Sequence, residues 1–315
     1  MDKDDRIYVA GHRGLVGSAI VRTLKEQGYS NIIARTHDEL DLTSQQQVQE
    51  FFRSERPAYV FLAAAKVGGI LANSTLPADF IYQNLMISTN VIHESYRHDV
   101  KKLMNLGSSC IYPRMAPQPL TEDALLSGPL EQTNEPYAVA KIAAIKMCAA
   151  YNTQHGTDFL SVMPTNLYGI NDNFDLKTSH VLPALMRKIH EAKIAKQPFV
   201  TLWGDGTPRR EFLYVDDLAQ CVVFLMQHKH AKDIGAFVNV GTGKDLSIAE
   251  LARTIKDVVG YNGSIIWDTT KPNGTPQKLL SIERIHALGW RHRVELSDGI
   301  RKEYGWFLNQ HERHD

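Results

Sequence analysis

The chain has no excess of charge of either sign: 35 Lys and Arg balance 35 Asp and Glu over 315 residues. A protein that wraps nucleic acid carries a basic excess, so this balance speaks against a nucleic-acid partner. A disordered polyelectrolyte is excluded as well, because 43% of the residues are hydrophobic. Cysteine is scarce: Cys110, Cys148 and Cys221 are odd in number and none has CxxC spacing. That speaks against a disulfide framework and a thiolate metal site, and no metal is expected. Long apolar runs are also missing. The longest, Tyr59 to Leu71, is broken by Lys66 and by Gly68 and Gly69, and is too short to span a bilayer. The charged start, Met1 to Arg6, does not read as a signal peptide. The expectation is a reduced cytoplasmic enzyme or binding protein with no membrane partner.

What is present is an alternation of apolar strands and amphipathic helices. Strands are expected at 6–10, 31–35, 59–63, 102–106 and 159–163, and helices at 15–27, 44–55, 77–98 and 136–152. Residues 108–135, rich in Pro, Ser and Gly, read as a loop. Strands alternating with helices mean a parallel sheet with right-handed crossovers. After about residue 170 the elements shorten. The tail from Asn309 to Asp315 reads as a frayed helix end.

The first strand runs directly into Gly11-His12-Arg13-Gly14-Leu15-Val16-Gly17, glycines at spacing three and three before a helix. Such a turn lets the backbone approach a pyrophosphate, and the helix N-terminus offers it unpaired N–H groups. The expected fold is therefore α/β: a Rossmann-type doubly wound parallel sheet with a smaller C-terminal α/β substrate-binding domain. Residues 1–170 form the dinucleotide-binding part and 171–315 the substrate part, with about 212–242 a candidate for return to the first. The end of the second strand, Ala34-Arg35-Thr36-His37, carries no carboxylate before Asp38. A carboxylate there would hold the ribose hydroxyl of NAD, whereas Arg35 and Arg13 favour a 2′-phosphate, hence NADP.

Tyr137 and Lys141 stand four residues apart on one helix and so share a face. An ammonium beside a phenol is expected to lower its pKa, letting it exchange a proton with a substrate oxygen near neutrality. Ser108 or Ser109, just after the strand at 102–106, can donate to the same oxygen.

Glycine turn, Ser and Tyr-x-x-x-Lys together resemble the extended short-chain dehydrogenase/reductases. Five segments narrow the likeness: Ala64 to Ile70, Leu106 to Pro113, Asn134 to Ala138, Met163 to Gly169 and Arg210 to Phe212. They are similar to the branch that epimerises GDP-4-keto-6-deoxy-D-mannose at C3 and C5 and reduces it at C4. The resemblance implies NADPH as cofactor, a GDP-sugar as substrate and a homodimer paired through the helices at 77–98 and 136–152. It implies Ser108, Tyr137 and Lys141 as the reductase set and Cys110 and His180 as the epimerising acid/base pair. The cofactor would be held by residues 11–17, Arg35, His37, Asp41, Leu42, Leu106, Gly107, Lys141, Pro164, Thr165, Asn166, Leu167 and His180. The sugar nucleotide would be held by Lys188, Trp203, Arg210, Asn273 and Lys278. Two departures stand out: Lys188 where relatives often have Arg, and His37 where relatives often carry an Arg for the 2′-phosphate. Lys cannot form a bidentate fork. The other readings are a reductase without epimerisation and a non-catalytic NADP-binding scaffold or sensor.

Overall fold

The structure is a computed structural model. It describes residues 1–271 and 273–311, with Ile70, Leu71 and His311 described in the backbone only. In chain order the elements are β1 (Ile7–Ala10), α1 (Leu15–Glu26), β2 (Ile32–Ile33), α2 (Gln45–Glu55), β3 (Tyr59–Leu62), α3 (Ile70–Thr75), α4 (Pro77–Arg97) and β4 (Lys102–Leu106). Then come α5 (Glu135–His155), β5 (Phe159–Pro164), β6 (Asn166–Tyr168), α6 (Val181–Ile194), β7 (Phe199–Trp203), β8 (Arg209–Tyr214), α7 (Val215–His228), α8 (Ala231–Ile234) and β9 (Val238–Val240). The chain continues with β10 (Asp245–Ser247), α9 (Ile248–Val259), β11 (Ser264–Asp268), β12 (Gln277–Lys278), α10 (Glu283–Ala287) and α11 (Leu296–His311).

Six parallel strands lie in the order β2-β1-β3-β4-β5-β9. Their period-two pattern sorts side chains between two cores. Ile7, Val9, Tyr59 and Phe61 face the layer that contains α1 and α7; Tyr8, Ala10, Val60 and Leu62 face the layer of α2, α4 and α5. Order reverses at β1, whose neighbours are β2 and β3. The C-terminal ends of β1 and β3 there open the crevice where an α/β sheet takes a ligand. β9 lies beyond β6, β7 and β8 in sequence, yet it completes the edge of this first sheet.

A smaller sheet of β10-β8-β12, with β6 also on β8, and a β7–β11 pair make a second layer. They share a core with α6, α9 and α11, including Tyr168, Leu182, Met186, Leu202, Phe212 and Phe307. Among the described residues no helix is long and apolar enough to cross a membrane.

Some boundaries differ from expectation. The strand expected at 31–35 pairs only at Ile32 and Ile33. Beyond the paired residues, the Arg35 side chain reaches Glu55 at 2.6 Å. The stretch 108–135 is not plain loop: it holds 3-10 turns at Ser109–Ile111, Glu122–Ala124 and Gln132–Asn134. A short helix, α3, precedes α4, and Leu76 ends it just before Pro77. Of the expected frayed tail, α11 reaches His311 and residues 312–315 lie outside the described residues.

Candidate active site

A cleft of about 880 Å³ opens above β1, β3, β4 and β5. Residues 11–17 form its floor. A Cβ on Gly17 would lie 2.1 Å from the Gly11 carbonyl oxygen, so a side chain there would break the turn. Gly11 holds φ +81, and a Cβ on it would meet the Ala64 backbone at 2.8 Å. The cradle thus brings bare backbone and the start of α1 up to whatever lies in the cleft, as a diphosphate needs. His12 lines it too, with its Nδ1 buried and unpaired.

The cations expected at the 2′-phosphate are not equivalent. Arg13 is exposed on the cleft and has no ion-pair partner among the described residues. Arg35 also lines the cleft, but it is bound to Glu55 and to the Ala34 carbonyl. His37 is mostly exposed, 3.9 Å from Asp41. Asp41 caps Thr43 through its amide and hydroxyl, and Leu42 lies beside it in the wall. Glu39 folds back on Thr36 and does not enter the cleft lining. The residues present fit a dinucleotide with an added phosphate.

The inner wall carries Leu106, Gly107, Ser108, Tyr137, Lys141 and Pro164 to Leu167. Asn166 donates to the Glu211 carbonyl at 2.8 Å, and Thr165 donates to it at 3.2 Å. Ser108 caps the 3-10 turn that follows β4, its hydroxyl facing the Cys110 amide at 3.5 Å. Ser108 lies beside Tyr137 and favours its ionised form, against the burial of the phenol. Lys141 donates to the Leu106 carbonyl at 2.9 Å, with its Nζ 5.8 Å from the Tyr137 ring centre. These positions follow from the sequence: β4 ends at Leu106, and Pro136 sits in the first turn of α5, on which residues 137 and 141 share a face.

The expectation that Lys141 would lower the Tyr137 pKa is corrected. Burial, with the neighbouring Cys110 adding to it, pushes the phenol above its ordinary value, against the pull of Ser108. Lys141 is itself buried and pushed down to about 8. Desolvation wins because both groups sit in the protein wall, with the ammonium turned to a carbonyl. Tyr137 is a protonated phenol, a proton donor rather than a ready phenolate.

Cys110 is buried beside this pair. Burial pushes its thiol up, while Ser108, Lys278 and Lys141 pull the other way. His180, the N-cap of α6, also lines the cleft and is exposed there. The surrounding protein still strips water from the ring, which lowers its pKa and leaves it neutral. The Gly69 amide donates to the Thr178 carbonyl at 3.1 Å, setting the Lys66-Val67-Gly68-Gly69 segment against the start of α6.

The five expected substrate residues lie outside the cleft lining. Arg210 and Lys278 are partners in the parallel β8–β12 register, so two cations stand side by side. Burial lowers the pKa of both, and each repels the other's charge. Lys188 stands 5.0 Å over the exposed ring of Trp203, and Lys271 stands 5.6 Å from it. Asn273 accepts from the Asp205 amide at 3.0 Å, tying the two adjacent loops.

A residue that sequence reading gave no role is Glu211. It is fully buried and accepts from the Thr242, Gly243 and Leu280 amides at 2.5, 2.7 and 2.9 Å. Its signal was available: a carboxylate directly before the apolar run Phe212-Leu213-Tyr214. Lys66 and Gln83 also line the cleft and had gone unassigned.

With this geometry in place, comparison with known proteins adds a family. The family described as the NAD dependent epimerase/dehydratase family matches residues 7–241. The chain belongs to that family. It is 59% identical over 308 residues to a putative GDP-L-fucose synthase 2 of Arabidopsis thaliana, covering 98% of this chain and 93% of that protein. It is 54% identical over 314 residues to the GDP-L-fucose synthase of Escherichia coli K12, covering 98% of each. Among solved structures, a GDP-mannoheptose C4 reductase from Campylobacter jejuni with NADP bound superposes with a TM-score of 0.91 at 41% identity, over 98% of this chain and 99% of that one. The family match thus covers the six-stranded sheet from β1 to β9 and, of the second layer, the elements from β6 to β8.

Proposed function

We propose that the protein converts GDP-4-keto-6-deoxy-D-mannose to GDP-L-fucose by 3,5-epimerisation and NADPH-dependent 4-keto reduction. The observation that carries it is that Ser108, Tyr137, Lys141 and His180 line one glycine-floored cleft, with Cys110 in the 3-10 turn that Ser108 caps.

A 4-ketone makes the hydrogens on C3 and C5 acidic, because removing either gives an enolate. Ser108 and Tyr137 hold the oxygen where that charge develops. Cys110 keeps its proton and His180 is neutral, so the pair presents one proton donor and one acceptor at neutral pH. NADPH, when bound, supplies the hydride for C4. Tyr137, held protonated by its burial, gives its proton to the C4 oxygen. Lys141 fixes the end of β4 through the Leu106 carbonyl and would hold the nicotinamide ribose.

Residues 11–17, Arg35, His37, Asp41, Leu42, Leu106, Gly107 and 164–167 hold the cofactor, with Arg13 the leading cation at the 2′-phosphate. Arg210 and Lys278 take the GDP diphosphate, with Lys188, Trp203 and Asn273 around the nucleoside end. The dinucleotide part comprises residues 1–170 with 212–242, and the rest shapes the sugar-nucleotide site. The protein acts in the cytoplasm as a homodimer paired through α4 and α5, whose outer faces leave Tyr82 60% and Val139 39% exposed.

The test is turnover of NADPH with GDP-4-keto-6-deoxymannose in deuterated water, with the product sugar identified by NMR. Deuterium at C3 and C5 of GDP-L-fucose is expected. Reduction without deuterium would instead favour a C4 reductase of the kind the Campylobacter protein is named for. No turnover would refute both.

A further inference from the structure

Glu55 ends α2 and is not among the residues that line the cleft, yet it holds one that is. Its Oε1 accepts from the Arg35 Nη2 at 2.6 Å, while the Ala34 carbonyl accepts from the Arg35 Nη1 at 2.9 Å. Phe51, one turn before Glu55 on α2, has its ring centre 6.0 Å from the central carbon of the same guanidinium. One turn of α2 thus meets the cation with a carboxylate and a ring. The other carboxylate oxygen serves a second cation. Arg6, just before β1, donates to the Glu55 Oε2 at 3.0 Å and to the Glu55 carbonyl at 2.5 Å. Glu55 is therefore shared by two arginines, and of these only Arg35 lines the cleft.

We propose that Glu55 competes with the cofactor's 2′-phosphate for Arg35, and so sets how strongly the protein prefers NADP to NAD. A carboxylate at 2.6 Å offsets the positive charge that a 2′-phosphate would meet. Binding the phosphate through Arg35 means exchanging one oxyanion for another. Arg6 keeps that exchange from stranding a charge: when Arg35 leaves, Glu55 still has a cation at its Oε2. The neighbouring carboxylates are not rivals of this kind. Glu39 accepts from the Thr36 amide and hydroxyl at 2.7 and 2.9 Å, and Asp41 from the Thr43 amide and hydroxyl at 2.9 and 2.8 Å. Arg13 gives the phosphate an uncontested contact and Arg35 a contested one. NAD carries a hydroxyl in place of that phosphate and makes no such demand on Arg35. Glu55 is thus a specificity-determining residue. The proposal rests on the placement of Arg35 at the 2′-phosphate and on no step of the sugar chemistry.

The experiment is isothermal titration calorimetry of the full-length protein with NADP+ and with NAD+, in the absence of sugar nucleotide. The proteins are wild type, Glu55→Gln, Arg35→Ala, the double variant and Arg6→Ala. Glu55→Gln is expected to bind NADP+ about threefold more tightly, the scale of a partly exposed ion pair, with NAD+ affinity unchanged. Arg35→Ala should weaken NADP+ binding more in the Glu55→Gln background than in wild type, by that same factor. Arg6→Ala leaves Glu55 to Arg35 alone and should weaken NADP+ binding. Weaker NADP+ binding by Glu55→Gln would make Glu55 a support for Arg35 rather than its rival, and would overturn the proposal. So would a gain that persists when Arg35 is absent, since it would report only the removal of a nearby negative charge. Unchanged or tighter NADP+ binding by Arg6→Ala overturns it independently, should Glu55→Gln fail to fold. If Arg35→Ala changes NADP+ binding in neither background, the placement of Arg35 at the phosphate falls as well. A loss on Arg35→Ala with no gain on Glu55→Gln overturns the competition alone.

Discussion

Replacing Glu211 with Gln tests how the second layer places its cations. The carboxylate accepts Thr242 and Gly243 on one oxygen and Leu280 on the other. Glutamine has one oxygen. Its best orientation keeps the first two bonds and turns an NH2 group toward the Leu280 amide, leaving two donors face to face. A buried amide without a partner costs about 1–3 kcal/mol, and loss of the charge weakens the other two bonds by about 1 kcal/mol together. The total is about 2–4 kcal/mol. It is reduced somewhat because burial already disfavours the ionised Glu211. The consequence for binding comes from register. Leu280 lies two residues beyond Lys278, and β12 is what sets Lys278 beside Arg210. Urea unfolding near neutral pH should show a lower midpoint with unchanged slope. Steady-state kinetics should show a raised KM for the sugar nucleotide and a nearly unchanged KM for NADPH. A stability loss below about 0.5 kcal/mol would refute the reasoning from stranded donors. A full stability loss with an unchanged sugar-nucleotide KM would refute the link to Lys278 and Arg210.

Arg13→Ala should weaken NADPH binding more than Arg35→Ala, since Arg35 is held by Glu55; fluorescence titration of both variants measures the difference, and equal losses would count against it. Cys110→Ser should lose C3 and C5 exchange at least about 100-fold while reducing a pre-epimerised ketone near normally, because general acid–base groups contribute about that much. Tyr137→Phe should abolish reduction, read as NADPH consumption, while a normal rate would remove Tyr137 from proton donation. Lys141 is pushed down to about 8, so its charge is present below that pH and lost above it. Reduction should therefore fall on the alkaline side of about 8, and Lys141→Arg should move that limb upward.

Much of the first layer was legible because its signals are local. The strand-turn-helix at residues 7–26 is written in apolar periodicity and glycine spacing, and both belong to neighbours in sequence. The faces of β1 and β3 follow from alternation alone. The environment of Tyr137 was not legible. Spacing placed Lys141 on the same helix face, but only the folded wall decides that desolvation outweighs attraction. Arg35 was read as a free cation because Glu55 is 20 residues away in sequence. Glu211 escaped for a related reason: what a buried carboxylate meets is set by strands and loops brought from distant stretches.

The six-stranded sheet closes only when Val238–Val240 arrives, after the chain has left to build β6, β7 and β8. During synthesis, then, the first layer stays open at one edge until three-quarters of the protein has emerged, and strand β5 waits with its outer backbone groups unpaired. Val162, Met163 and Pro164 at that edge pair with Val238, Asn239 and Val240. A nick or premature stop between Tyr168 and Val238 would leave an amino-terminal fragment holding the whole glycine turn together with a raw apolar strand edge. Such a fragment should aggregate rather than survive as a small dinucleotide-binding module.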